Sequence, residues 1–296
     1  MPNPFTQSGQ WLRGNLHTHT SRSDGLLSPQ QTVGEYAARG YDFLAITDHG
    51  VVTDPRDLDP RGMTLIPGVE LAILGGTFGG TLHVVALGNG SVPRVPEGAA
   101  AEQALRELAA QVPLCFACHP FWSLIEGSHL LPLEGPIGVE VYNQTCQGHI
   151  GRGGSEAAWD FLLASGRRLW GLAVDDAHHP GDIGQAWIVV KSESRSVEAI
   201  LQAVREGNFY SSIGPELRDL RRHGENLRIA CSPCEQWIVL GAAPGSGRAS
   251  YYMPGLERPF EEILLPFPSS ETWLRVEVID AQGRKAWSNA FRAEEL

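Results

Sequence analysis

Histidines and acidic residues gather at the ends of short apolar runs in this chain, and that placement limits the folds open to it. His17-Thr18-His19 follows WLRGNL, Asp48-His49 ends DFLAIT, Glu70 ends LIPGV, His119 ends PLCFAC, and Asp176-Ala177-His178 ends RLWGLAVD. His83 lies inside TLHVVAL, and Asp24 lies in a glycine-bearing loop. Runs of this kind, bounded by turn residues, read as strands at 42–47, 64–69, 81–87, 112–118, 137–142, 168–174 and 186–190. A short extended segment covers 15–20, with His17 and His19 two apart and so on one side.

Between these runs the spacing predicts helices. One starts at Ser28-Pro29-Gln30-Gln31, where Ser28 can cap, Pro29 suits the first helical position and Gln31 completes a capping box; Gly40 ends it. Others cover 99–111, 155–165 and 196–206, the last two closed by Gly166 and Gly207. Strands alternating with helices predict parallel α/β architecture, and in a β/α barrel catalytic groups collect at the rim where strands end. The rhythm changes near Pro215. Short β-rich runs at 227–231, 237–240, 262–265 and 273–279, with a turn at Asp280–Gly283, predict an antiparallel, sandwich-like accessory domain over 221–296, beside a barrel over 1–220.

Composition narrows the function classes. A net charge of −11 argues against tight binding to duplex nucleic acid, though bound cations can reverse the field locally for a small anionic substrate. No apolar run is long enough to cross a bilayer, and the N-terminus lacks a basic start followed by an apolar core. Five cysteines fit poorly with a disulfide framework, so the expectation is a reduced, cytoplasmic protein. Cys115 and Cys118 sit in an apolar run and read as core; Cys231 and Cys234 leave a surface zinc site open.

Imidazoles and carboxylates at strand ends suit Zn²⁺, Mn²⁺ or Fe²⁺, and a carboxylate such as Glu70 can bridge two ions. A lone histidine at a strand end is more often a structural or surface residue; it is the recurrence along the chain that points to metal. The segments GNLHTHTSRSDG, DFLAITDHG, GVE, LHVVALG, CHP and DDAH, in this order, resemble the PHP (polymerase and histidinol phosphatase) superfamily over Gly14 to Pro215. VEVYN, GLAVDDAHH and NFYSSIGPE look closer to its carbaryl-hydrolase-like branch.

The resemblance implies a distorted (β/α)7 barrel and two or three divalent ions (Zn, Mn or Fe). Carried over, one ion takes His17, His19, Glu70 and Asp176; a second takes Glu70 as bridge, His83 and His119; a third takes Asp24, His49 and His178. Asp24 stands where many relatives have histidine. Asp175 is the alternative to Asp176, which we prefer because Asp-x-His pairs it with His178. Glu70, Asp176 and His178 are the expected catalytic residues.

Further candidates rest on position alone. Arg22 can clamp a phosphate or be a plain surface arginine. Asn143, His149 and Arg152, in a segment read as a glycine-containing loop, can bind substrate or protonate a leaving group. Asp48 can orient a neighbouring imidazole or be solvated. His179 reads as an outer partner or an exposed residue, and His129 and His223 as surface. No Lys-Ser/Thr follows Gly151–Gly154 as a P-loop requires, no Gly-x-Ser-x-Gly elbow appears, and nothing near Cys146 in sequence activates it as a nucleophile. The expected activity is hydrolysis of a phosphate ester of a small metabolite or nucleotide. The alternatives are hydrolysis of a carbamate, carboxylic ester or amide at the same centre, and a non-catalytic metal-bound scaffold.

Overall fold

The computed structural model describes residues 3–74, 80–96, 98–243, 247–248, 258–268 and 272–296. Seven strands in chain order, β1 (Gln10–Asn15), β2 (Phe43–Ile46), β3 (Thr64–Leu74), β4 (Thr81–Leu87), β5 (Leu114–Ala117), β6 (Gly138–Asn143) and β7 (Trp170–Val174), lie side by side in one sheet. The chain beyond β7 returns to the chain beyond β1. Thr18 and Ala177 form a parallel bridge, Asp176 N–H donates to the His17 carbonyl at 3.0 Å, and His19 N–H donates to the Ala177 carbonyl at 3.0 Å. That return closes a distorted barrel.

The alternation of strands and helices does not make every pair parallel. β1–β2–β3 and β5–β6–β7 are parallel, but β3–β4 and β4–β5 are antiparallel, so the sheet is mixed. The segment between β3 and β4 is too short to carry a crossover helix, and adjacent strands so joined must run antiparallel. β2 is buried on both faces: Phe43 and Ala45 join the core with Ile66, Phe116 and Val174, while Leu44 and Ile46 pack with Val33 and Tyr36 of α1 (Pro29–Ala38). α1 begins as its sequence dictates, with Ser28 Oγ accepting from Gln31 N–H and Ser28 N–H donating to Gln31 Oε1. α2 (Ala101–Ala109), α3 (Gly127–Leu130), α4 (Gln144–Ile150), α5 (Glu156–Ala164) and α6 (Val197–Arg205) follow. The stretch read from sequence as a loop after residue 143 therefore holds a helix, α4, capped by the Asn143 side chain on Cys146 N–H at 2.9 Å.

The C-terminal region is a small antiparallel β domain built on the barrel's own sheet. β8 (Trp187–Ser192) pairs with β1, and β9 (Phe209–Ser212) with β8. β12 (Gln236–Ala243), β15 (Leu274–Ile279) and β16 (Lys285–Ser288) extend that sheet from β9, with the two-residue β13 (Gly247–Arg248) at its edge. β10 (Leu217–His223), β11 (Asn226–Cys234) and β14 (Phe260–Pro266) form a second sheet, sharing one apolar core with the first. Cys231 and Cys234 are fully buried in that core and free, which removes the surface zinc site left open by their spacing. The hairpin at Asp280–Gly283 is held by Asp280 Oδ1, which accepts from Gln282 and Arg284 N–H, with Gly283 at φ +77°. Among the described residues no helix is long and apolar enough to cross a membrane.

Candidate metal centre

β1 stops at Asn15, so His17 and His19 stand beyond the strand rather than within it. They are still held as an extended pair. His17 N–H donates to Asn15 Oδ1, Thr18 N–H to Thr47 Oγ1, and the Ala177 and His17 carbonyls take the bonds that close the barrel. The chain then turns sharply. Thr20 N–H and Oγ1 and Ser23 Oγ all donate to the buried carboxylate of Asp48, and Thr53 Oγ1 adds a bond at 3.3 Å, so Asp48 holds this turn rather than an imidazole. A Cβ on Gly25 would stand 2.7 Å from the His19 carbonyl, so the turn needs glycine there.

Four ligand-type atoms meet at the end of the barrel. His17 Nε2, His19 Nε2, Glu70 Oε2 and Asp176 Oδ1 lie 3.0–3.1 Å apart in five pairings, and all four residues are buried. Asp176 Oδ1 is buried without the geometry of a hydrogen bond to any group, although two imidazoles are within reach. Two imidazole nitrogens and two carboxylate oxygens, one of the oxygens orphaned, make a ligand set for a cation once the imidazoles give up their protons. Asp176 is held at φ +51° and His119 at φ +29°, a left-handed conformation that non-glycine residues adopt at a cost and that concentrates at functional sites. Asp175, its neighbour, faces away: its oxygens accept from Tyr36 Oη and from the N–H groups of Gly184, Gln185 and Ala186.

Glu70 divides its carboxylate between two groups. Oε2 faces His17, His19 and, at 3.2 Å, His49 Nδ1; Oε1 faces His83 Nδ1 at 2.8 Å and His119 Nε2 at 3.4 Å. His83 reaches it because β4 pairs antiparallel with β3, with Ala72 opposite His83 and Glu70 two residues along on the same face. A third group is looser. Asp24 Oδ2 lies 3.6 Å from His49 Nε2 and 3.4 Å from His178 Nε2, and Asp24 Oδ1 lies 3.6 Å from His19 Nδ1, with the Asp24 side chain half exposed. His178 is oriented by its Nδ1 on the Asp176 carbonyl at 2.8 Å. The structure thus brings together all nine residues that the sequence offered as ligands, in clusters able to coordinate metal ions.

The charge balance within the cluster follows from burial and proximity. Burial by itself disfavours imidazolium at His17, but Asp176, Glu70 and Glu140 raise its pKa well above the ordinary value. His19 is raised in the same way to about 9. The imidazoles in turn overcome burial at Glu70 and Asp176 and hold both carboxyls well below their ordinary range. His49, half-buried beside His19 and His17, moves down.

The centre floors a cavity of about 280 Å³, whose walls include Trp122, Thr145, Cys146, His149 and His179. Cys146 lines it, but burial followed by Asp176 and Glu140 pushes its thiol far up, which leaves no thiolate for attack. The His149 ring lies 5.6 Å from that of His179, tilted 51° to it, with Nε2 4.0 Å from Asp182 Oδ1. Asn143 lies beneath the cavity, its amide donating to Glu140 Oε2 at 2.8 Å and Asp176 Oδ2 at 3.0 Å. Arg22 is exposed, Arg152 lies 5.4 Å over the Phe121 ring, and neither lines the cavity. Sequence reasoning missed Glu140, whose carboxylate meets His17 Nδ1 at 2.6 Å and His119 N–H at 2.7 Å. Its signal was there: a lone acidic residue inside the apolar run GVEVY must be buried with a partner.

Comparison with known proteins places this architecture. A two-domain protein from Bacteroides vulgatus, described as containing a predicted PHP-like metal-dependent phosphoesterase, superposes over 96% of this chain and 96% of its own, with a TM-score of 0.55 at 17% identity. The chain has a PHP-like fold. A family model described as PHP-associated matches residues 163–209, which run from the end of α5 through β7, β8 and α6 to the start of β9. The 3',5'-nucleoside bisphosphate phosphatase of Chromobacterium violaceum is 35% identical over 97 residues, 31% of this chain and 33% of that protein. The phosphoribosyl 1,2-cyclic phosphate 1,2-diphosphodiesterase of Eggerthella lenta is 34% identical over 95 residues, 31% of this chain and 34% of that protein. The match spans about a third of each relative's length. In this PHP-like chain the clustered histidines and carboxylates stand where the barrel closes.

Proposed function

We propose that the chain is a metal-dependent hydrolase of phosphate esters, with residues 1–220 as the catalytic unit and 221–296 as an accessory domain. The observation that carries this reading is the divided Glu70 carboxylate, one oxygen among His17, His19 and His49 and the other between His83 and His119, at the floor of an open cavity. His17, His19, Glu70 and Asp176 would hold one divalent ion, Glu70, His83 and His119 a second, and Asp24, His49 and His178 a third. Zn, Mn and Fe suit this mixture of imidazole and carboxylate. Bound divalent cations neutralise phosphoryl oxygens and lower the pKa of water to about 7.

The chain's own groups do the rest. Glu70 and Asp176 keep the imidazoles fixed and supply compensating negative charge. Trp122 and Thr145 bound the space left for substrate. His149, on the outer wall beside His179, is placed to give a proton to the leaving oxygen. Asn143 is already committed to Glu140 and Asp176, so substrate contact falls to His149, with Arg22 and Arg152 able to serve only a substrate that extends past the rim. The names of the Chromobacterium and Eggerthella relatives, a phosphatase and a phosphodiesterase, support phosphorus as the centre attacked.

A second reading has one observation in its favour. No Arg or Lys is among the described residues lining the cavity, so a doubly charged phosphate would rely on the ions and histidines alone. A carbamate, ester or amide develops only one negative charge on its carbonyl oxygen and suits the same centre, as the carbaryl-hydrolase-like motifs suggest. The test is elemental analysis of protein purified without chelator, then turnover of aryl phosphates beside aryl carbamates and esters. Phosphate turnover that stops on chelation and returns with metal supports the first reading. Carbamate or ester turnover alone selects the second, and metal-loaded protein inert to the whole panel leaves a binding scaffold.

A further inference from the structure

We propose that Glu140 is the positioning residue of the metal centre: its carboxylate fixes the ring of His17, the backbone of His119 and, through Asn143, the carboxylate of Asp176. The inference rests on the reading that those three residues hold divalent ions. Glu140 sits in β6 and is fully buried, so each of its oxygens needs donors from the protein itself. Oε1 meets His17 Nδ1 at 2.6 Å. Oε2 accepts from His119 N–H at 2.7 Å and from Asn143 Nδ2 at 2.8 Å. The second hydrogen of that Asn143 amide goes to Asp176 Oδ2 at 3.0 Å, and Asn143 Oδ1 accepts from Cys146 N–H at 2.9 Å.

Each of these bonds has a consequence for ligation. In the neutral ring that ligation requires, a proton on His17 Nδ1, held by Oε1, leaves the lone pair on Nε2, and Nε2 is the atom turned to Glu70 and Asp176. Asn143 occupies Asp176 Oδ2 and so leaves Oδ1 as the oxygen presented to His17 and His19. The bond from His119 N–H to Oε2 holds that residue in its left-handed conformation, which points Nε2 at Glu70. One carboxylate therefore aligns ligands from the ends of three different strands.

An amide cannot replace it, although its shape is nearly the same. In Glu140→Gln the new NH₂ must face either His17 Nδ1, which drives the ring proton onto Nε2 and blocks it, or the N–H groups of His119 and Asn143, where donor meets donor. Asn143→Asp keeps the cap on Cys146 N–H but sets an acceptor against Glu140 and Asp176.

The experiment titrates metal-stripped protein with Mn²⁺ or Zn²⁺ by calorimetry, with the Tm of the metal-free and loaded forms read alongside. Glu140→Gln is expected to bind about 10- to 100-fold more weakly than wild type and to lose most of the Tm gain on loading. A merely structural role would lower the metal-free Tm and leave the affinity of the folded molecules intact, which overturns the proposal. Where Glu140→Gln does not fold, Asn143→Asp carries the test, with the same weakening expected and wild-type affinity again counting against it. Wild-type protein that binds no metal overturns both this inference and the proposed function. Wild-type protein that binds metal but hydrolyses nothing sinks the function alone, and the variant affinities still decide the role of Glu140.

Discussion

Two buried polar assemblies in this molecule look alike in composition and differ in what they lack. Arg275 on β15 is fully buried, with Nε donating to Asp160 of α5 at 2.8 Å and Nη1 to Glu277 at 2.6 Å; Lys285 adds contacts to Glu156 at 3.0 Å and Glu277 at 3.3 Å. That network brings its own cations, and the Arg275 guanidinium lies 4.7 Å over the Trp159 ring. The cluster at His17, His19, Glu70 and Asp176 also buries carboxylates, but it contains no arginine or lysine, and the buried atom it leaves unbonded is an acceptor, Asp176 Oδ1, where the other network leaves a donor, Arg275 Nη2. A buried set of acids closed by its own guanidinium is a joint between α5 and the β domain. One that is closed only by titratable imidazoles is open to a cation from outside.

The largest expected effect separates the two directly. Glu70→Gln or Asp176→Ala should lower turnover on the order of 10³-fold, as removal of a preorganised electrostatic partner does, with the fold retained by circular dichroism. Near-normal turnover in either variant, at confirmed metal content, would erase the distinction drawn here. Arg275→Met should do the reverse. It leaves Asp160 and Glu277 buried without their cation and should cost about 3–5 kcal/mol in urea unfolding, with metal bound per folded molecule unchanged.

The response to pH sharpens the contrast. Folding raises the His19 pKa from 6.5 to about 9, so in metal-free protein its contribution to stability is complete below pH 6.5 and lost as pH rises through about 9. Metal needs neutral imidazole, so affinity should climb with pH over that same window, by about tenfold per unit for each proton displaced. Calorimetric titrations from pH 6 to 9.5 showing flat affinity would refute this. At Arg275 burial opposes the charge, but Asp160 and Glu277 raise its pKa further, so the joint should not titrate in that range. The smallest effect belongs to Lys285, a third of whose side chain is exposed: Lys285→Met should cost about 1 kcal/mol or less in the same urea assay.

The ligand types were legible in the sequence because strand ends in a β/α fold project side chains to one rim, and His17, His49, His119 and His178 each follow an apolar run. The barrel's strands were legible for the same reason, and α1 through Ser28 and Gln31. Other parts were not. α4 carries no apolar periodicity and contains Gly148, so only Asn143, an N-cap type, signalled it. The antiparallel turn-back of β4 depends on the short link before it, yet it is what sets His83 diagonal to Glu70.

The chain alone thus determined which side chains are available and that they lie near strand ends, since hydrophobic periodicity and turn residues act over a few neighbours. Which oxygen of Glu70 meets which imidazole, why Asp176 and not Asp175 turns inward, and what Glu140 holds were settled only when the strands of the barrel came together. Those contacts join residues on different strands, some of them more than a hundred positions apart, as His17 is from Glu140 and Asp176, and no local propensity encodes a bond whose partner arrives only with the closed barrel.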